Sequence, residues 1–163
     1  MRTERGFTII ELLLYSAISA AMIASISIIL STLLDIRIKN QSIAEVEQQG
    51  QILMSSLTKA IRNADTVNDL PQGATEAVLS ITANGVNTVY SSENGRMMVS
   101  INGGGAIPLT NSKVEITNLR FSNYARPGTN GLFRIEFTIS RLNPVGGARN
   151  AFERTFIGSA GQY

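Results

Sequence analysis

The sequence predicts an α+β protein in which one long amino-terminal helix lies on a carboxy-terminal antiparallel β-sheet. Three observations carry this reading. Leu12–Leu34 is a run of 23 residues without a charge, a proline or a glycine. From Ile43 to Ala64 the small and apolar residues recur at steps of three and four, the period of a helix with one buried face. After residue 70 the pattern becomes a series of short stretches joined by turn residues, among them two Asn-Gly pairs, the mark of β-hairpins.

At about 1.5 Å per residue the Leu12–Leu34 run reaches roughly 35 Å as a helix, enough to cross the hydrocarbon core of a bilayer. A cleaved secretory signal is the alternative, with Ser19-Ala20-Ala21 as the small-residue site. The apolar run continues through Leu34, well past the point where such a signal would end. A buried core helix is the other alternative, but this stretch is apolar on every face and long for so small a chain. The reading is therefore a membrane-spanning segment. Glu11 sits directly against it. A carboxylate at bilayer depth is expected to be paired or functional, whereas one at the headgroup boundary is simply hydrated; position alone leaves both open.

The helix is expected to continue beyond the membrane. Ile43, Val46, Gly50, Leu53, Leu57, Ala60 and Ala64 form a stripe, with Glu45, Glu47, Gln48, Gln51, Lys59 and Arg62 on other faces. Glycine at position 50 costs about 1 kcal/mol relative to alanine in a helix and allows close packing or a bend. The predicted span is Thr8 to Asn63, with a softening near residues 36–42. The stripe is read as the cover of a sheet rather than as a coiled coil. Asp65 to Gly73 carries Asn, Asp, Pro and Gly together and ends the helix as a turn.

Strands are expected at Ala77–Thr82, Val86–Ser91, Arg96–Ile101, Lys113–Phe121, Leu132–Arg141 and Ala151–Ile157. Asn84-Gly85 and Asn94-Gly95 supply tight hairpin turns. In Leu132–Arg141, Phe133, Ile135, Phe137 and Ile139 alternate with Arg134, Glu136, Thr138 and Ser140, giving one buried face and one wet face. Gly103-Gly104-Gly105 and Gly146-Gly147 lack the Gly-Lys-Ser/Thr continuation of a phosphate loop and read as hairpin tips.

Composition narrows the chemistry. The chain has 163 residues, 16% of them charged, and a net charge of +2, with neither cysteine nor histidine. The balance of charge does not indicate a nucleic-acid site. Thiol nucleophiles, disulfides, histidine bases and Cys/His zinc sites are excluded. The aspartates (Asp35, Asp65, Asp69) precede the sheet and the later glutamates are widely spaced, so no calcium loop is expected. Arg120, Arg126, Arg134, Arg141, Arg149 and Arg154 enrich the end of the chain; they read as solvated strand faces and loops, with acidic partners as the alternative. No catalytic constellation, cofactor site or metal site emerges, and the chain is expected not to be an enzyme.

The first eleven residues add a specific signal. Arg2 and Arg5 lie in a short leader ending at Gly6, followed by Phe7, Thr8 and Glu11 and then the uncharged helix. This arrangement resembles the amino terminus of type IV prepilins and pseudopilins. The resemblance implies cleavage between Gly6 and Phe7 by a membrane prepilin peptidase and methyltransferase, N-methylation of Phe7, and an assembly role for Glu11. The implied division is a cytoplasmic leader at 1–6, a transmembrane and filament-core helix at 7–35, an amphipathic helix and connection at 36–70, and an antiparallel head at 71–163. Glu11 of one subunit would neutralise the Phe7 amine of its neighbour, turning two costly charges into a pair. A leader with two arginines favours a cytoplasmic amino terminus and a head outside the cytoplasm.

A second resemblance covers Glu45-Val46-Glu47-Gln48-Gln49-Gly50 through Arg62-Asn63-Ala64, which is similar to the same region of minor pilins and J-type pseudopilins. The chain differs from typical major pilins in having no carboxy-terminal cysteine pair and no proline in its membrane helix. The implied function is a structural subunit of a type IV pilus or type II secretion-like filament. Its implied partners are the peptidase, other pilins or pseudopilins, an inner-membrane assembly platform and membrane lipid. An exported binding module or adhesin tethered by the helix, and a membrane-anchored enzyme, are the alternatives from other classes.

Overall fold

The computed structural model describes residues 8–126, 131–142 and 152–162. It is α+β: among the described residues, one long helix is followed by nine strands in two antiparallel sheets. The chain divides into two units, Met1–Ile38 and Lys39–Tyr163.

Helix α1 spans Ile9–Arg62, and the boundary between the two units falls within the 36–42 stretch where a softening is expected. In the first unit every residue from Thr8 to Arg37 is exposed. The helix is long and apolar enough to cross a membrane. Four of its hydroxyls fit that setting. Ser25, Ser27 and Thr32 donate to the carbonyls of Ala21, Ile23 and Ile28, one turn back, at 2.8–3.0 Å, and Ser16 donates to Leu13 at 2.9 Å. A hydroxyl bonded within its own helix needs no water, which is the condition for placing it among lipid tails.

In the second unit α1 becomes one-sided. Its buried residues are Ser42, Val46, Gly50, Leu53, Leu57 and Ile61. The expected stripe is thus corrected at its margins. Ile43 and Ala60 are only half-buried, while Ser42 and Ile61 turn inward. After Arg62, strand β1 (Thr66–Asn68) forms inside the stretch read from sequence as a turn. Asp65 fastens it: its backbone N–H donates to the Thr82 carbonyl at 2.8 Å, and its carboxylate accepts the Asn84 N–H at 2.6 Å.

The first sheet has the order β1-β3-β4-β5-β6, with β3 at Leu79–Ala83, β4 at Val86–Glu93, β5 at Arg96–Ile101 and β6 at Ile107–Pro108. The predicted Asn-Gly turns are present. Asn84 and Gly85 lie at φ 49° and 76°, and Asn94 and Gly95 at 51° and 71°, the left-handed pair that a two-residue hairpin requires. Asn102-Gly103 repeats the geometry where β5 turns toward β6, in line with the tip expected at Gly103–Gly105. Gly146-Gly147 lies outside the described residues.

The second sheet has the order β2-β7-β8-β9, with β2 at Thr75–Glu76, β7 at Val114–Asn123, β8 at Leu132–Arg141 and β9 at Glu153–Gly161. The expectation of a single sheet is therefore replaced by two. One side of β8 is buried as expected: Phe133, Ile135, Phe137 and Ile139 are all at most 2% exposed. The other side departs from expectation at Thr138, which is buried and shares a hydroxyl hydrogen bond of 2.9 Å with Thr155. In β7 the register shifts between Thr117 and Arg120. Asn118 sits there at φ 53°. The extra residue moves the inward phase from Val114 and Ile116 to Leu119, Phe121 and Asn123. Both sheets, the α1 stripe, Ala64 and Leu70 contribute to one core.

Candidate functional site

The residues with a sequence-predicted role are Gly6, Phe7 and Glu11. Gly6 and Phe7 lie outside the described residues. Glu11 is described, and its surroundings follow from the start of the helix. The first amide groups of any helix lack intrahelical acceptors. Here Thr8 precedes the helix and Glu11 follows three residues later. The Glu11 carboxylate accepts the Thr8 backbone N–H at 3.0 Å and the Thr8 hydroxyl at 3.1 Å. The Thr8 hydroxyl oxygen in turn accepts the Glu11 N–H at 3.3 Å. This is a reciprocal capping box. A negative side chain in the first turn also complements the positive end of the helix dipole. Sequence reasoning counted Thr8 in the amino-terminal arrangement but gave it no role. The Thr-x-x-Glu spacing ahead of an apolar run was the signal that could have found it.

Directly behind the cap lies the uncovered helix. Ile9, Ile10 and Leu12 are 81%, 78% and 63% exposed, and the large side chains continue so through Leu34. A helix with apolar side chains exposed on every face is long and apolar enough to cross a membrane.

In the second unit, α1 is fastened to the head by contacts along β9. Gly50 faces the Phe156 ring so closely that a Cβ at position 50 would fall inside it. Phe156 stacks on Phe137 with centroids 5.5 Å apart. The Arg154 guanidinium lies over the Phe156 ring at 5.4 Å and also forms an ion pair with Glu47. One turn further along, Met54 packs against Gly158. Gln162 then donates to the carbonyls of Ala64 and Asp65 at 3.1 and 2.7 Å. A second fastening joins Glu45 to Asn111 by a hydrogen bond and to Lys113 by an ion pair of 3.9 Å. Gly50 is thus a seat for an aromatic ring, the close packing that the sequence reading offered.

The arginines expected on solvated faces divide. Arg154 and Arg134 hold Glu47 and Glu136, the latter at 3.1 Å, while Arg120 is exposed beside Glu136 across the ladder. Arg149 lies outside the described residues. A comparison of the chain with known protein families, curated proteins and solved structures found no match.

Proposed function

We propose that this chain is a structural subunit of a type IV pilus or type II secretion-like filament, of the minor pilin or J-type pseudopilin kind. The observation that carries the reading is the amino-terminal arrangement: Arg5-Gly6-Phe7-Thr8 and Glu11 set immediately before a helix that is apolar on every face. The fold is of the kind the resemblance implies, with a long helix whose second half covers an antiparallel head.

In this reading a prepilin peptidase cuts between Gly6 and Phe7 on the cytoplasmic side, and Phe7 is then methylated. The mature chain waits in the inner membrane as a single-pass protein with its head outside the cytoplasm. Lipid first surrounds Ile9–Leu34, and helices of neighbouring pilins or pseudopilins replace it when the assembly platform draws the subunit into a filament. Glu11 has two tasks in turn. Within its own chain it caps the helix through Thr8. Between chains it offers a carboxylate to the Phe7 amine of an adjoining subunit, so that neither charge enters the filament core alone.

Intact mass and amino-terminal sequencing of the membrane-extracted protein test the reading. The expected amino terminus is a methylated Phe7. A terminus after Ala20 or Ala21 would indicate an ordinary signal peptide. An uncut chain would favour a tethered binding module or adhesin, which needs no such processing.

A further inference from the structure

Two open sheets have four edges, and three of them here are guarded. In the first sheet, the edge strands β1 and β6 are only three and two residues long. In the second sheet, the β7 side is covered in part by β2 and in part by the β4–β5 turn, where the Gly95 carbonyl accepts the Ile116 N–H at 2.7 Å. The bulge at Asn118 bends it further. The fourth edge, β9, is nine residues long and pairs with β8 along its whole length. Among the described residues no other strand pairs with it. From Thr155 to Gly161 it carries neither a charge nor a proline, the usual means of blocking an edge.

The ladder tells which groups face outward. Arg141 donates to the Phe152 carbonyl and Gln162 to the Gly131 carbonyl, at 3.1 and 2.9 Å. Both pairs continue the β8–β9 register, so the even-numbered residues of β9 bond to β8. Thr155, Ile157 and Ser159 therefore turn their N–H and C=O groups away from the sheet. Beside them runs an open cleft lined by Tyr124, Leu132, Arg134, Ile157 and Ser159. Tyr124 and Ile157 are each 59% exposed. The Nη2 atom of Arg134 holds Glu136, but its Nε is buried with no hydrogen-bond partner.

We propose that β9 accepts an extended strand of a partner polypeptide, with an apolar side chain of that strand in the cleft and a carboxylate toward Arg134. The main-chain groups define the occupant. Donor and acceptor pairs recurring at roughly 6.8 Å match an extended backbone. The cleft lies on the face where alternate side chains of an added strand would fall, and the guanidinium selects a negative one among them. This inference goes beyond the filament reading, and its test does not depend on whether Phe7 becomes the amino terminus.

The test uses the full chain in detergent and a capped synthetic peptide as long as β9, alternating valine and threonine with one glutamate. Amide hydrogen exchange is the readout. Without peptide, Thr155, Ile157 and Ser159 should exchange freely while Phe156, Gly158 and Ala160 are protected. With peptide in excess, the three outward amides should gain about tenfold protection or more. Ile157→Pro removes an outward N–H and one side chain of the cleft but none of the hydrogen bonds to β8, so the β8–β9 ladder should persist while peptide affinity falls about tenfold or more. Thr155→Pro serves the same purpose if circular dichroism shows that Ile157→Pro unfolds the head. Arg134→Gln should abolish the preference for this peptide over its glutamine counterpart. The proposal is overturned by unchanged exchange at the three outward amides or by peptide protection that survives both prolines. It is also overturned by protection that grows with protein concentration in the absence of peptide, since β9 would then be pairing with a second copy of itself.

Discussion

At position 50, helix propensity and packing pull in opposite directions. Alanine would favour the helix by about 1 kcal/mol over glycine. Its methyl group, however, would overlap the Phe156 ring, which stacks on Phe137 and carries the Arg154 guanidinium over it. Overpacking of this kind costs about 1–3 kcal/mol, so Gly50→Ala should lower stability on balance. In a Phe156→Ala background the overlap is gone, and the same change should become stabilising. Thermal unfolding of the four chains in that cycle gives the answer; additivity of the two changes would mean that ring and glycine do not meet. Glu11 poses a comparable question about two roles in one side chain. Glutamine retains the hydrogen bonds of a capping box but carries no charge, whereas leucine retains neither. Both Glu11→Gln and Glu11→Leu should leave membrane insertion intact, because a carboxylate is removed from beside the apolar run. If the filament requires a charge opposite the Phe7 amine, both should also abolish incorporation while cleavage persists. Normal incorporation of Glu11→Gln would reduce Glu11 to a helix cap.

The elements differ in how openly the sequence announced them. The helix was plain from an uncharged run and a stripe, and its limits, Ile9 and Arg62, fall within a residue of those predicted. Strands β5 and β8 stand where they were expected, because turn residues bound both ends of one and an unbroken alternation marks the other. By contrast β1, β2 and β6 were missed. With three, two and two residues they are too short to display a period, and pairing with a longer neighbour is what makes them strands. Strand β9 was placed early, since Gly158 and Gly161 look like an ending until Met54 is seen against Gly158 and Ala160 in the core. The bulge in β7 is a finer case. Val114 and Ile116 followed by Leu119 and Phe121 break alternation by one step, and Asn118 absorbs the step with a left-handed backbone. Asn118→Gly should therefore leave stability nearly unchanged. Asn118→Val forces a β-branched residue into that conformation and should cost about 1–2 kcal/mol, measurable by urea unfolding. Equal stability of the two variants would show that the register shift does not depend on residue 118.

At the scale of the whole molecule, the apolar stripe announced that something would be covered, but not that two sheets would share the covering. That division depends on how β7, β8 and β9 turn away from the earlier hairpins, a matter of non-local pairing that leaves no local pattern. The Thr8–Glu11 cap, the described part of the candidate site, can be read from sequence for the opposite reason. Its residues are contiguous, and their meaning lies in spacing alone. The two units suggest where the chain can be cut. A chain beginning at Lys39 keeps Val46, Leu53, Leu57 and Ile61 in the core and removes the exposed apolar helix. It should be a soluble, cooperatively folding protein without detergent. A chain beginning at Gln72 loses those four side chains. At about 1.5–3 kcal/mol for each buried aliphatic residue, the loss is roughly 6–12 kcal/mol, as large as the net stability of a typical domain. Without the helix, Phe137, Phe156 and the neighbouring core residues of β8 would meet water, and the second chain should aggregate or remain unfolded. Light scattering and circular dichroism on the two truncated chains distinguish the cases. A stable monomer beginning at Gln72 would mean that the sheets close on one another unaided, and that α1 is a stalk rather than part of the core.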